Sequence, residues 1–215
     1  MAVVGIVPAA GRGERLGSDG PKAFVVCAGR PLVDWSLDVL GAVCDRVVVA
    51  VPPGWEASGP DRVAGGAVRS ASVRAALAAA PEASVVVVHD AARPLVTPAL
   101  VERCVAAVRE GWDGAIAAAP MTDTVKEAAP ADGRVLRTLD RSALWRIQTP
   151  QAFAADALRR ALDVGDDALA AATDDASLVE AAGGSVRVVE APPDNIKVTT
   201  RVDLEIASAL LRARS

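Results

Sequence analysis

Five short, almost wholly apolar runs punctuate the chain, at residues 3–8, 46–52, 84–89, 114–120 and 185–191. Continuous runs of this length mark strands buried on both faces of a mostly parallel sheet, because a strand with one wet face alternates instead. Between them, helical patterns at 31–43, 70–80, 98–110, 154–164, 174–182 and 201–213 predict helices with one buried face. Two starts are marked. Thr97 before Pro98 reads as an N-cap with proline at the first helical position, and Thr200 with Asp203 three residues on reads as a capping box. Strand and helix in repeated alternation predict a three-layer α/β/α sandwich with right-handed crossovers, as a single domain over residues 1–215.

Residues 121–146, MTDTVKEAAPADGRVLRTLDRSALWR, break the alternation. Two strand-like pieces, 124–127 and 135–139, flank the turn signal Asp132-Gly133 and predict a protruding β-hairpin arm. A two-stranded hairpin is marginal alone in water. Either the arm leans on a second copy of the chain or the segment is an ordinary surface loop.

Composition narrows the functions. The 215 residues carry a net charge of −4, and a general nucleic-acid binder needs a basic field to displace counterions from phosphates. No apolar run approaches the roughly 18 residues a membrane span requires, and the first residues lack the basic region and apolar core of a secretion signal. A cytoplasmic protein with neither nucleic-acid nor membrane partners is expected. Cys27, Cys44 and Cys104 are widely spaced with no CxxC pair, and read as buried thiols. Of the 23 lysines and arginines only Lys22, Lys126 and Lys197 are lysine. In a chain that otherwise writes arginine, a retained lysine is either drift or a place where a compact, mobile ammonium serves and a planar guanidinium does not.

In an open parallel sheet the first strand-to-helix loop is the usual phosphate cradle. Here it reads AAGRGERLGSDGPK, where Gly11 and Gly13 let backbone N–H groups approach an anion and Arg12, Arg15 and Lys22 supply charge. A dinucleotide fingerprint fails, because Leu16 stands where the third glycine belongs and the second strand ends AVPP, without an acid for a ribose. A Walker A loop also fails, because Lys22 lies between Pro21 and Ala23. A nucleoside triphosphate held by a longer cationic loop remains.

The loop PAAGRGERLGSDGPK, with VHDAARP, TDTVKE, LWRIQTPQAF, TDDAS and DNIKVT following in order, resembles the 2-C-methyl-D-erythritol 4-phosphate cytidylyltransferase family of the non-mevalonate isoprenoid pathway. Its members are nucleotidyltransferases of a glycosyltransferase-A-like fold. The resemblance runs from Val7 to about Leu204 and implies transfer of CMP from CTP to 2-C-methyl-D-erythritol 4-phosphate in a homodimer. It implies that Lys22, Arg15 and Lys197 line the reacting phosphates. Ala9, Ala10, Gly11, Gly13, Gly65, Gly66, Arg69 and Ser72 would hold the nucleotide. Thr124 and Arg141 of a neighbouring arm would take the second substrate, with Asp90, Arg93, Thr149 and Thr173 completing its pocket.

Asp90 follows a buried strand at its carboxyl end and is the metal candidate for Mg²⁺ or another divalent cation, which wants hard oxygen ligands. Its other reading is a cap on the next turn; for Thr149 and Thr173 the other readings are a turn and a helix N-cap. Lys126 is as well suited to a solvent-facing role as to an ionic one. His89 is the only histidine, which removes histidine-based metal clusters, and it suits orienting the loop better than moving protons. Two positions depart from the family pattern: Ala67, where an acid is usual, weakens the account of base and ribose binding, and Ala23, where glutamine is common, removes a loop-packing contact. A ribitol-phosphate cytidylyltransferase is the nearest rival, though it would carry HDAVRP where this chain has HDAARP. A nucleotide-binding regulatory module without turnover is the rival of another class, and it would have no need of Lys22, Arg15, Asp90 and Lys197 together.

Overall fold

The computed structural model describes residues 1–11, 13, 20–59 and 61–214. Seven strands form one twisted sheet. In chain order, β1 is Ala2–Pro8, and a small ribbon of β2 (Val26–Cys27) and β3 (Arg30–Pro31) leads into helix α1 (Leu32–Gly41). Then come β4 (Arg46–Val51), β5 (Arg62–Ala64), α2 (Arg69–Ala78), β6 (Ala83–Val88), α3 (Pro98–Arg109) and β7 (Gly114–Pro120). The arm strands β8 (Lys126–Ala128) and β9 (Val135–Thr138) precede a long β10 (Trp145–Ala154). Helices α4 (Ala155–Leu162), α5 (Asp166–Ala171) and α6 (Asp175–Ala181), strand β11 (Val186–Glu190) and helix α7 (Arg201–Arg214) complete the chain. The sheet order is β11-β7-β10-β6-β1-β4-β5, and every neighbouring pair is parallel except the two that β10 makes.

The apolar runs fill both faces, and their period of two sorts them. Val3, Val7, Val49, Val51, Val85 and Val87 point to the layer of α1 and α3, where they meet Leu40, Leu100, Val101, Cys104 and Val105. Val4, Ile6, Val48, Ala50, Val86 and Val88 point the other way, into Val73 and Leu77 of α2 and Leu158 and Leu162 of α4. Each fully buried side chain of this size contributes about 1.5–3 kcal/mol of transfer free energy. Both marked helix starts form: Leu100 N–H donates to the Thr97 hydroxyl at 3.4 Å, and Thr200 and Asp203 exchange bonds of 2.8 and 3.2 Å. The three cysteines are buried and free, and burial pushes the Cys44 and Cys104 thiols up to about 12. No helix among the described residues is long and apolar enough to cross a membrane.

Several elements differ from the sequence expectation, in which the β2–β3 ribbon, β5 and helix α5 have no counterpart. More consequential is β10, which lies in mid-sheet although its sequence, WRIQTPQAFA, contains a proline and four polar residues. Proline is normally confined to sheet edges and bulges because it cannot donate to the ladder. Here the pairing with β7 breaks register between Ile147 and Gln151, so Pro150 falls in the break, and the Thr149-Pro150 peptide is cis.

The arm is a real hairpin. Gly133 at φ 73° makes its turn, the Lys126 ammonium donates to the Thr138 hydroxyl at 2.6 Å, and Arg137 pairs with Glu127 at 2.5 Å. All four residues of β9 are exposed, including Val135 and Leu136 at 57% and 52%.

Candidate active site

Strands β1, β4, β5 and β6 run parallel, so their carboxyl ends open on one edge, and the segments that leave them build a cleft of about 860 Å³ there. Its glycine wall comes from the segment after β1. Gly13 has φ 69°, a left-handed conformation that disfavours any Cβ, and a Cβ there would also run into Cβ of Lys22. Gly65, after β5, admits Ala10 and the Ser72 hydroxyl at distances no other residue would allow: an added Cβ would lie 2.5 and 3.0 Å from them. Lys22 N–H donates to the Gly11 carbonyl at 3.1 Å, which folds the lysine back against the wall. Ala9, Ala10, Gly11, Gly13, Lys22, Gly66, Ser72, Asp90 and Lys197 all line this one cleft.

The opposite wall is ionic. Lys197 Nζ lies 2.7 Å from Asp90 Oδ2, and Arg69 Nε donates to Asp90 Oδ1 at 3.0 Å. Burial works against ionisation of Asp90, but the charges of Arg69 and Lys197 outweigh it and hold the carboxyl well below the usual carboxylate range. Arg69 reaches further, to Asp175 Oδ2 at 2.6 Å, and its guanidinium stays charged despite burial because both carboxylates face it. Lys22 belongs to the same field. Asp203, at the start of α7, is held below its ordinary range against the effect of burial by the amides of Thr200 and Thr199, its bond to Thr200 and the charge of Lys22.

Asp90 is also gripped from behind. Gln151 of β10 pairs antiparallel with Val88 of β6, so Thr149, two residues earlier, stands opposite Asp90, two residues later. The Asp90 N–H donates to the Thr149 hydroxyl at 3.0 Å, and that oxygen is 3.0 Å from His89 Nδ1. His89 Nε2 is 3.2 Å from the Arg93 carbonyl, which can only accept. Nε2 therefore carries the proton, Nδ1 accepts, and the Thr149 hydroxyl donates to it. His89 is fully buried, and burial pushes its pKa down to about 4, so the ring is neutral and fixed in this tautomer. Arg93 is buried too and donates to the Asn195 carbonyl at 2.8 Å, tying the turn after β6 to the segment that carries Lys197. Asn195 in turn donates to Gln148 and to the Thr149 carbonyl, at 2.7 and 2.9 Å.

The sequence expectations divide accordingly. The glycine wall, Lys22, Lys197 and Asp90 come together. Ser72 is in the wall, but its hydroxyl accepts from Gly66 N–H at 3.1 Å and shapes that turn. Arg69, expected with the nucleotide, lines the cleft and also binds two carboxylates. Thr149 and Arg93 are buried supports adjoining the cleft, and neither lines it. The cap of α6 is Asp174, which accepts from Ser177 N–H at 2.9 Å, so the N-cap alternative for Thr173 falls and its side chain stays exposed. Arg15 lies outside the described residues. Thr124 and Arg141 are exposed on the arm and do not line the chain's own cleft; Arg141 donates to the Thr122 carbonyl at 2.6 Å. Sequence reasoning misses Asp175. Its signal is the second aspartate of TDDAS, one more acid than a helix cap requires.

Comparison with known proteins agrees with this architecture. A family model described as 2-C-methyl-D-erythritol 4-phosphate cytidylyltransferase matches residues 3–213. A protein of that name from Nocardia farcinica is 48% identical over 225 residues, covering 100% of this chain and 96% of the relative, and one from Saccharopolyspora erythraea is 46% identical over 98% of this chain and 100% of its own length. The crystal structure of the protein of that name from Thermus thermophilus superimposes with a TM-score of 0.82 at 38% identity, covering 99% of this chain and 100% of that one. With the α/β fold, the parallel-sheet cleft and the full-length match in agreement, the chain belongs to the 2-C-methyl-D-erythritol 4-phosphate cytidylyltransferase family of nucleotidyltransferases.

Proposed function

We propose that this chain transfers CMP from CTP to 2-C-methyl-D-erythritol 4-phosphate by direct attack of the substrate phosphate on the α-phosphorus. A phosphate oxygen forms the new bond to phosphorus as the bond to the β-phosphate bridge breaks, and pyrophosphate leaves with the electron pair. The nucleophile is already ionised at neutral pH and needs no general base, so positioning and positive charge carry the rate. One observation carries this reading: Lys22 and Lys197 line one glycine-walled cleft in a chain whose net charge is −4. Their ammonium groups would offset repulsion between the two anionic substrates, and Arg15 would clamp triphosphate oxygens as a fixed fork.

Asp90 fits a divalent cation. It is an ionised hard-oxygen donor in the cleft wall, and Mg²⁺ typically takes one or two carboxylates together with substrate phosphates. When bound, the ion supplies charge neutralisation on the triphosphate. Among the described residues no three histidine, cysteine, aspartate or glutamate side chains cluster, so the phosphates would supply the remaining ligands.

The arm is read as serving the cleft of a second copy. Thr124 and Arg141 do not line their own chain's cleft, and they are well suited to a phosphate. Val135, Leu136, Trp145 and Ile147 are exposed by 57%, 52%, 36% and 41%, apolar surface that a homodimer would cover. Pyrophosphate release from CTP and Mg²⁺ tests the reaction. Release with 2-C-methyl-D-erythritol 4-phosphate well above that with ribitol 5-phosphate supports it; equal release from both, or none from either, overturns it.

A further inference from the structure

The geometry points to Asp175 as a positioning residue for the cytidylyl transfer, acting through Arg69 on Asp90 and Lys197. The inference rests on the reading of the cleft above.

Asp175 is the first residue of α6 and is 0% exposed. Its Oδ2 takes the Arg69 Nη1 donor at 2.6 Å, and its Oδ1 has no hydrogen-bond partner among the described residues. Arg69 opens α2 and lines the cleft, and its Nε holds Asp90, which in turn holds Lys197. Four side chains in contact thus run from the protein interior to a half-exposed ammonium: Asp175, whose carboxyl is pushed by burial above the usual carboxylate range against the pull of Arg69, then Arg69, Asp90 and Lys197. They lie on four separate segments, and the Arg69–Asp175 link spans 106 positions of sequence.

A buried carboxyl group is a poor way to gain stability, because an apolar side chain of similar volume often does as well or better. What it supplies is orientation. A guanidinium is a rigid fork, and with Nη1 anchored inward its Nε can present only one direction to Asp90. Without Asp175 the fork is free to turn toward the cleft. Asp90 then loses its fixed partner and is left to Lys197 alone, which occupies the ammonium that the phosphates need. The wall of Gly11, Gly13 and Gly65 is untouched by this, so binding of CTP is spared and turnover is not.

Asp175→Asn keeps the shape and removes the ionisable carboxyl that faces Arg69. Its kcat is expected to fall about 10- to 100-fold, the usual cost of losing an outer-shell partner, with the KM for CTP essentially unchanged. A lowered melting temperature with unchanged kcat per folded molecule would show a purely structural residue and overturn the proposal. The double variant Arg69→Met, Asp175→Leu leaves no buried charge unpaired, so it guards against misfolding of the single one. It is expected to show the same deficit in kcat, and wild-type kcat in it also overturns the proposal. Lys197→Ala separates the two levels: full activity there sinks the reading of the cleft itself, whereas an inactive Lys197→Ala beside a fully active Asp175→Asn sinks only the role of Asp175.

Discussion

Lys197 and Asp90 are 107 positions apart in sequence and meet at 2.7 Å, Nζ to Oδ2. The pair holds the ammonium at the cleft wall before any substrate arrives, with 43% of the lysine side chain still exposed. A carboxylate that already has Arg69 on its other oxygen can release the lysine without being left uncompensated. If Lys197 serves the triphosphate as proposed, this contact is the resting position from which it would be drawn.

Lys22→Ala and Lys197→Ala are each expected to lower kcat by about 10²- to 10³-fold or more, the scale of losing one preorganised donor at a developing negative charge. Neither lysine is buried in a core cluster, so melting temperatures should stay near wild type. Steady-state kinetics with a thermal melt checks both points, and a variant that loses stability in place of turnover would count against the assignment.

Mixing two variants, each assayed at a sugar-alcohol phosphate concentration low enough that neither turns over appreciably alone, tests the arm. If Arg141 serves the cleft of the other copy, a heterodimer of Lys22→Ala and Arg141→Ala contains one cleft with both native residues and regains activity. If Arg141 serves its own chain, every cleft carries a lesion and the mixture stays inactive. Alone, Arg141→Ala should chiefly raise the KM for the sugar-alcohol phosphate and leave that for CTP in place.

The buried His89 sets a pH dependence. Its folded pKa of about 4 lies below the 6.5 of the free side chain. The folded state thus binds fewer protons, and this contribution to stability is complete above about pH 6.5 and is lost as pH falls toward 4. A shift of this size corresponds to at most about 3 kcal/mol. Asp90, also depressed, adds a loss of the same sign at still lower pH. In His89→Gln, whose amide can still donate to the Arg93 carbonyl, the melting temperature should fall less between pH 7 and pH 5 than in wild type. Parallel curves for the two proteins would contradict the tautomer chain through Thr149.

Gly13→Ala places a Cβ at φ 69° and against the side chain of Lys22. A cost of about 1 kcal/mol or more in stability follows from the backbone alone. Because the displaced atom belongs to Lys22, kcat should fall by more than the loss of stability accounts for. A change confined to the melting temperature would show that Lys22 does not depend on this packing.

Local chemistry made much of this protein readable in one dimension. The runs at 3–8, 46–52, 84–89, 114–120 and 185–191 became β1, β4, β6, β7 and β11, because a strand buried on both faces has to be apolar at every position whatever surrounds it. Gly11, Gly13, Lys22 and the caps at Thr97 and Thr200 were legible for the same reason, each being a demand that a few adjacent residues place on one another.

Strand β10 was not legible. Its Gln148, Thr149, Pro150 and Gln151 argue against a central strand locally, and they are tolerated because Asn195, Asp90, His89 and Asp174, all distant in sequence, receive their polar groups. The same is true of Asp175, Arg69 and Asp90. A carboxylate carries no sign in sequence of which cation will face it, since Coulomb attraction in a low-dielectric interior acts through space and only chain folding sets those distances.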